Sequence, residues 1–181
     1  MSIGLILGIV VGGIVLVIIL CIVWWIISTY NILITKKSNI EDAFDSLNSL
    51  LKKRYQDISL CVDALNKTLD GEIKEELLDA RNSAMASVSI EEQFDNEARL
   101  EKSITKLLFF VDDNKLAITE NAALLCVELQ KSQHFIDQAR QFYNGLASAY
   151  NIKLSAFPGT MLQKSCKLNK VPLYTLDIKK D

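Results

Sequence analysis

His134 is the single histidine of the chain, and the four cysteines, Cys21, Cys61, Cys126 and Cys166, stand far apart. A structural zinc site needs thiolates and imidazoles in closely spaced pairs. No Cys-x-x-Cys and no second histidine at ligand spacing is present, so no metal is expected. No Glu-x-x-His element recurs, as a di-iron bundle would require. Gly-x-Ser-x-Gly, P-loop and Gly-x-Gly-x-x-Gly patterns are also missing. Neither catalytic residues nor a cofactor is therefore expected. Glu75-Glu76 and Glu91-Glu92 fall near helix starts, where carboxylates suit the helix dipole. Cys61 and Cys126 lie on apolar helical stripes, where a thiol acts as a small hydrophobe, and disulfides are not expected.

Two polar features remain. Tyr143, Tyr150 and Phe157 recur every seven residues, as do Asn144 and Asn151. On a helix this makes an aromatic ridge with an amide row beside it, and Arg140 lies one turn earlier. Such a ridge can bind a peptide or helix, or it can be a packed seam whose hydroxyls and amides bond to facing helices. The seam is favoured, because buried Tyr and Asn need partners and so fix register. Arg54 occupies a seam position between Leu47 and Cys61, which is costly for an unpaired charge. It should meet a carboxylate on a facing helix, with Glu72 and Glu128 the first candidates.

The elements that carry these residues begin with an anchor. From Ile3 to Ile27 no side chain is charged, and the first charge in the chain is Lys36. About 20 apolar residues span a bilayer core. The run lacks the basic start, the short apolar core and the small-x-small site of a cleaved signal, so it should be retained. Trp24, Trp25 and Tyr30 stand where an interfacial aromatic belt belongs. Lys36 and Lys37 then place the N-terminus outside and the remainder in the cytoplasm, at the cell (inner) membrane. Gly4, Gly8 and Gly12 share one face of the anchor, a ridge that can bring two copies together.

Between Ser28 and Phe157 there is no proline, which points to long helices. Ile40, Phe44, Leu47, Leu51, Ile58, Cys61 and Leu65 alternate in steps of four and three, a coiled-coil-like seam on a helix from Ser28 to Leu69 that can be continuous with the anchor. A second helix begins near Glu72, with Ile73, Leu77, Ala80, Ala84 and Val88 on one face. Ser89-Ile90-Glu91-Glu92 is a capping box opening a third, with Phe94, Leu100, Ile104, Leu107, Leu108 and Val111 as its stripe. Asp112-Asp113-Asn114 breaks it. The last long helix covers 115–156, with Leu125, Leu129, Ile136, Ala139, Tyr143, Leu146 and Tyr150 inward, and Phe157-Pro158-Gly159 stops it. The fold class is all-α: one N-terminal transmembrane helix followed by an antiparallel bundle of three to four long helices. The segments are an anchor over 1–28, a bundle over 29–158, and a loosely packed tail over 159–181 in which only Val171-Pro172-Leu173-Tyr174 should dock.

Arg140-Gln-Phe-Tyr143-Asn144, Tyr150-Asn151 and Phe157-Pro158 form an R-x-x-Y-N-x5-Y-N-x5-F-P pattern that resembles the signature of the LemA family. Tyr30-Asn31, Asn39, Ala43 and Leu51-Lys-Lys-Arg54-Tyr55 agree, as does the Ala80-Arg81 pair. The resemblance runs from the anchor to Pro158. It implies an N-terminally anchored bundle of long antiparallel helices, generally without an assigned enzymatic activity; some relatives are associated with the building of bacterial internal membranes. The chain departs from the pattern at Gln56–Val62, where the family reads D-L-I-P-N-L-V, and at Asp113-Asn114, where it has Tyr-Pro. Gln133 stands where the family usually has an acid.

The 20 basic and 22 acidic side chains nearly cancel, at −2. A near-neutral, mixed surface argues against a nucleic-acid partner, which would need a basic stripe. The reading is a membrane-anchored scaffold or interaction protein without intrinsic catalysis, its partners the bilayer and other membrane or cytoplasmic proteins, with self-association through the anchor. The alternative is a regulatory or sensory subunit of a membrane complex.

Overall fold

The computed structural model describes residues 3–65 and 68–175, with the side chains of 3–7 and 9 outside the description. The described residues are all-helical. The helices are α1 (Ile3–Leu65), α2 (Gly71–Ala86), α3 (Ile90–Asp113), α4 (Glu120–Ser155) and α5 (Gly159–Ser165). The apolar run and the first bundle helix are one continuous 63-residue helix. None of its most apolar 18-residue window is buried, and it is long and apolar enough to cross a membrane.

Local chemistry sets the breaks. Asp70 caps α2, accepting the Glu72 amide at 2.8 Å. Ser89 caps α3, accepting the Glu92 amide at 3.1 Å, while the Glu92 carboxylate reaches back to the amide of Val88 at 3.0 Å. The capping box is therefore formed, displaced by one residue on the carboxylate side. Val88, expected inside the second helix, lies beyond its end and is exposed. Thr119 accepts the Ala122 amide, so α4 begins five residues later than its apolar stripe suggested.

The chain forms two compact units. One comprises 1–39 and 148–171. Its interior holds Leu33, Tyr150, Leu154, Leu162 and Leu168, and Trp25 meets Phe157 edge to face at 5.5 Å. In it, Gly159 approaches the end of α4 so closely that a Cβ would lie 2.8 Å from the Leu154 carbonyl oxygen and nearer still to that of Lys153. More of the tail is packed than Val171–Tyr174, since Leu162 and Leu168 are buried as well.

The other unit comprises 40–147 and 172–181. The seam of α1 is buried as its spacing required: Ile40, Leu47, Leu51, Ile58, Cys61 and Leu65 line it, with Phe44 half-buried. α2 packs on α3 through Leu77, Ala80 and Ala84. Lys106–Glu76 and Arg99–Asp79 ion pairs rim that contact at 2.7 and 2.8 Å. Phe44, Phe94 and Tyr143 form a ring cluster with centroids 5.7–6.3 Å apart, a spacing at which edge-on aromatic pairs add to plain burial.

Candidate functional site

The polar centre of the second unit is built around Arg54, which is fully buried. Its Nη2 donates to Glu97 on α3, and its Nη1 donates to the Gln133 amide oxygen on α4 at 2.6 Å. Tyr55 donates its hydroxyl to the second Glu97 oxygen. Both carboxylate oxygens are thus occupied in a site sealed from water. Arg54 does meet a carboxylate from a facing helix, but the partner is Glu97. Glu128 is exposed and pairs with Lys131 instead, and Glu72 is exposed at the start of α2. Glu97 lies three residues after Phe94 and three before Leu100, so it sits in the α3 stripe itself. That spacing is visible in the sequence and is the signal that finds it.

Burial pushes the Glu97 carboxyl above the ordinary glutamate range, against the pull of Arg54. Glu101, one turn on, is raised by the same cause. Burial also drives the Tyr55 hydroxyl far up, with the nearby Glu97 charge adding to it. Arg54, Glu97, Tyr55 and Gln133 hold one another, an arrangement that suits register-setting between three helices.

Tyr143 and Tyr150 are buried and Asn144 and Asn151 half-buried, forming a packed seam, while Phe157 at the end of the aromatic row is exposed. The hydrogen bonds of Tyr143, Asn144 and Asn151 run to the C-terminal tail, not to facing helices, and the buried Tyr150 hydroxyl has no partner among the described residues. In the second unit Tyr143 donates its hydroxyl to the Pro172 carbonyl at 2.8 Å. Asn144 holds Tyr174 from both sides: its amide donates to the Tyr174 carbonyl and its oxygen accepts the Tyr174 N–H, each at 2.8 Å. The Tyr174 ring stacks on Phe94 at 4.4 Å. The Arg140 guanidinium, paired with Asp137, lies 5.7 Å from the same ring. Burial raises Tyr143 to about 12. In the first unit Asn151 treats Val171 in the same way, at 2.8 and 2.9 Å. A tail without regular secondary structure has no ladder partner for most of its N–H and C=O groups. A helix side chain that offers both a donor and an acceptor supplies one.

The remaining motif residues fall outside these clusters. Tyr30, Asn31 and Asn39 are exposed on α1, Arg81 is half-buried on α2, and Pro158 is buried ahead of α5. Gly8 and Gly12 are open, with nothing within 4 Å of where a Cβ would stand, and Gly4 lies outside the described side chains. Cys61 and Cys126 are buried free thiols with their Sγ atoms 2.6 Å apart. The contact with Cys126 and burial hold the Cys61 thiol far above its usual range. His134 is exposed beside Gln138. Among the described residues no three His, Cys, Asp or Glu side chains are placed to hold a metal ion.

One open surface has no counterpart among the sequence expectations. Leu124, Phe135 and Phe142 on α4 are 60, 55 and 63% exposed. At about 100° per residue they fall within some 20° of one another on the helix, a line roughly 27 Å long. The alternation that marks the inward face conceals it, because the line is a second, sparser apolar period set about 100° round the helix from the inward one.

The LemA family model matches residues 43–181. The match begins after Tyr30, Asn31 and Asn39 and takes in the tail clamped by Asn144 and Asn151. No curated protein matches the chain.

Proposed function

The chain belongs to the LemA family, and from that premise we propose that it is a single-pass membrane-anchored scaffold that recruits another protein through α4, without catalysis of its own. The observation that carries this reading is where large apolar side chains are left open. They include the N-terminal part of α1 and the Leu124–Phe135–Phe142 line, beside scattered open residues such as Val88, Phe109 and Leu116. The buried polar side chains of Arg54, Glu97, Tyr55 and Tyr143, by contrast, are engaged in holding helices or tail together. The exposed Glu128–Lys131 pair interrupts the line between Leu124 and Phe135, and large apolar side chains left open among polar neighbours in this way mark an interaction site. Lys36 and Lys37 favour the orientation with the N-terminus outside and the domain in the cytoplasm. Gly8 and Gly12, open on one face, support self-association of the anchor.

The test places a photo-crosslinking residue at Phe135 of the full chain in native membranes. A discrete adduct, lost when Phe142 and Leu124 become Ser, is expected. Uniform weak labelling that the serine variant leaves unchanged would sink the recruiting surface. Replacing Gly4, Gly8 and Gly12 with Leu should abolish any anchor-driven dimer.

A further inference from the structure

Charge divides between the two units in a way the total of −2 conceals. The unit made of 1–39 and 148–171 carries six lysines, Lys36, Lys37, Lys153, Lys164, Lys167 and Lys170, and no acidic residue. All 22 carboxylates, with the other 14 basic side chains, belong to the second unit. Four of the six lysines are contributed by the segment after Ser148, more than a hundred residues from the apolar run.

That segment also bears apolar side chains in the open. Phe157 is 61% exposed and Met161 52%, while Leu162 and Leu168 face inward. The edge-to-face contact at 5.5 Å fixes the ring of Phe157 beside Trp25. Trp25 sits at the end of the apolar run, at the level where tryptophans mark the membrane–water interface. The interfacial zone on each side of the hydrocarbon core is roughly 5–7 Å deep, so a ring held at that distance from Trp25 cannot lie far outside it.

We propose that the segment Phe157–Lys170 is a second membrane contact, with Phe157 and Met161 set into the headgroup layer and Lys164, Lys167 and Lys170 on anionic lipid. Charge complementarity and continuity with the aromatic belt of the anchor both favour lipid as the occupant. Lysines beside an acidic leaflet are attracted to it, and their stems follow the apolar boundary while the ammonium stays in water. The contact fastens the end of α4 and α5 to the same bilayer that α1 enters. It rests on the reading of α1 as a membrane anchor.

The experiment uses the full chain in vesicles of phosphatidylcholine, with or without about 30 mol% phosphatidylglycerol to supply surface charge. A fluorophore is placed by Met161→Cys in a background with Cys21→Ala and Cys166→Ser. Phe109→Cys, on the acidic unit and 67% exposed against 52% for Met161, serves as the reference site, each site being compared with itself in neutral vesicles. Flotation with the vesicles reports the anchor. Quenching by shallow spin-labelled lipid against quenching by iodide reports the contact. In anionic vesicles site 161 should be several-fold better shielded from iodide than site 109 and quenched by the lipid probe. Lys164→Glu, Lys167→Glu and Lys170→Glu together should remove most of that difference, and so should high salt on the unaltered chain. A chain that floats while site 161 is as open to iodide as site 109 overturns the contact and leaves the anchor standing. A chain that does not float overturns both. Shielding indifferent to salt and to lipid charge overturns the assignment of the lysines.

Discussion

The Arg54–Glu97 pair should respond unequally to loss of its two members. Removing Glu97 as Glu97→Gln leaves a guanidinium that cannot shed its proton buried against amide and hydroxyl oxygens. Breaking a buried pair in this way costs about 3–5 kcal/mol. For a chain of 181 residues that corresponds to a fall in Tm of roughly 6–20 °C. Removing the partner as Arg54→Met leaves a carboxyl that burial already pushes up, and this group has an escape: it can take a proton and remain as a neutral acid bonded to Tyr55. Its folded pKa then lies further above the ordinary value of 4.5 than in the parent. The native state binds more protons than the unfolded one, so stability is retained below about pH 4.5 and lost as pH rises toward the folded value, by up to about 1.4 kcal/mol per pH unit. Thermal melting of the full chain in micelles, followed by circular dichroism from about pH 5 to 8, should show Glu97→Gln impaired throughout. Arg54→Met should be near the parent at the acidic end of that range and well below it at the alkaline end. The double variant Arg54→Met with Glu97→Leu should lose less than Glu97→Gln alone, and adding Tyr55→Phe should recover more. Equal, pH-independent losses for the two single variants, or a double variant showing their sum, would refute the argument.

Other contacts give sharper local tests. Gly159→Ala drives a methyl into the Lys153 and Leu154 carbonyl oxygens and should cost about 1–3 kcal/mol, whereas Gly145→Ala, with open space around it, should be neutral or stabilising in the same melts. Asn151→Ala strips both backbone groups of Val171 of their partner, at about 1–3 kcal/mol; hydrogen exchange at the Val171 amide should accelerate, and unchanged protection would show that the clamp is not what orders the tail. Maleimide added to the native chain should label Cys166, which is exposed, and reach the buried Cys61 and Cys126 only after denaturation; rapid native labelling of Cys126 would contradict the buried thiol contact.

What the sequence disclosed and what it withheld divide along a physical line. Periodicity along one helix was readable: the α1 seam, the α3 stripe and the Ser89 cap are local consequences of side-chain spacing, and they stand where the spacing put them. The position of Arg54 in an apolar seam even implied a carboxylate opposite. Choosing that carboxylate required knowing which faces of α1 and α3 oppose each other. An acid inside an apolar stripe, as Glu97 is, reads in the sequence as an interruption, when it is the second half of a pair that only burial can make necessary. Gln133 shows the same dependence: where the family usually has an acid, the amide supplies Arg54 with a second oxygen and no second charge. The tail was the hardest to read. Residues 171–175 have no period of their own, and their order comes from Asn144, Asn151 and Tyr143 on a helix twenty to thirty residues earlier. The seven-residue repeat of Tyr and Asn looked like helix–helix packing because that is the commonest use of such spacing. An Asn amide, however, matches an extended peptide better than it matches a helix, whose backbone groups are already paired along its own axis. A repeated Asn on an otherwise inward helix face is therefore evidence for a non-helical segment lying against it, and that inference needs only the sequence.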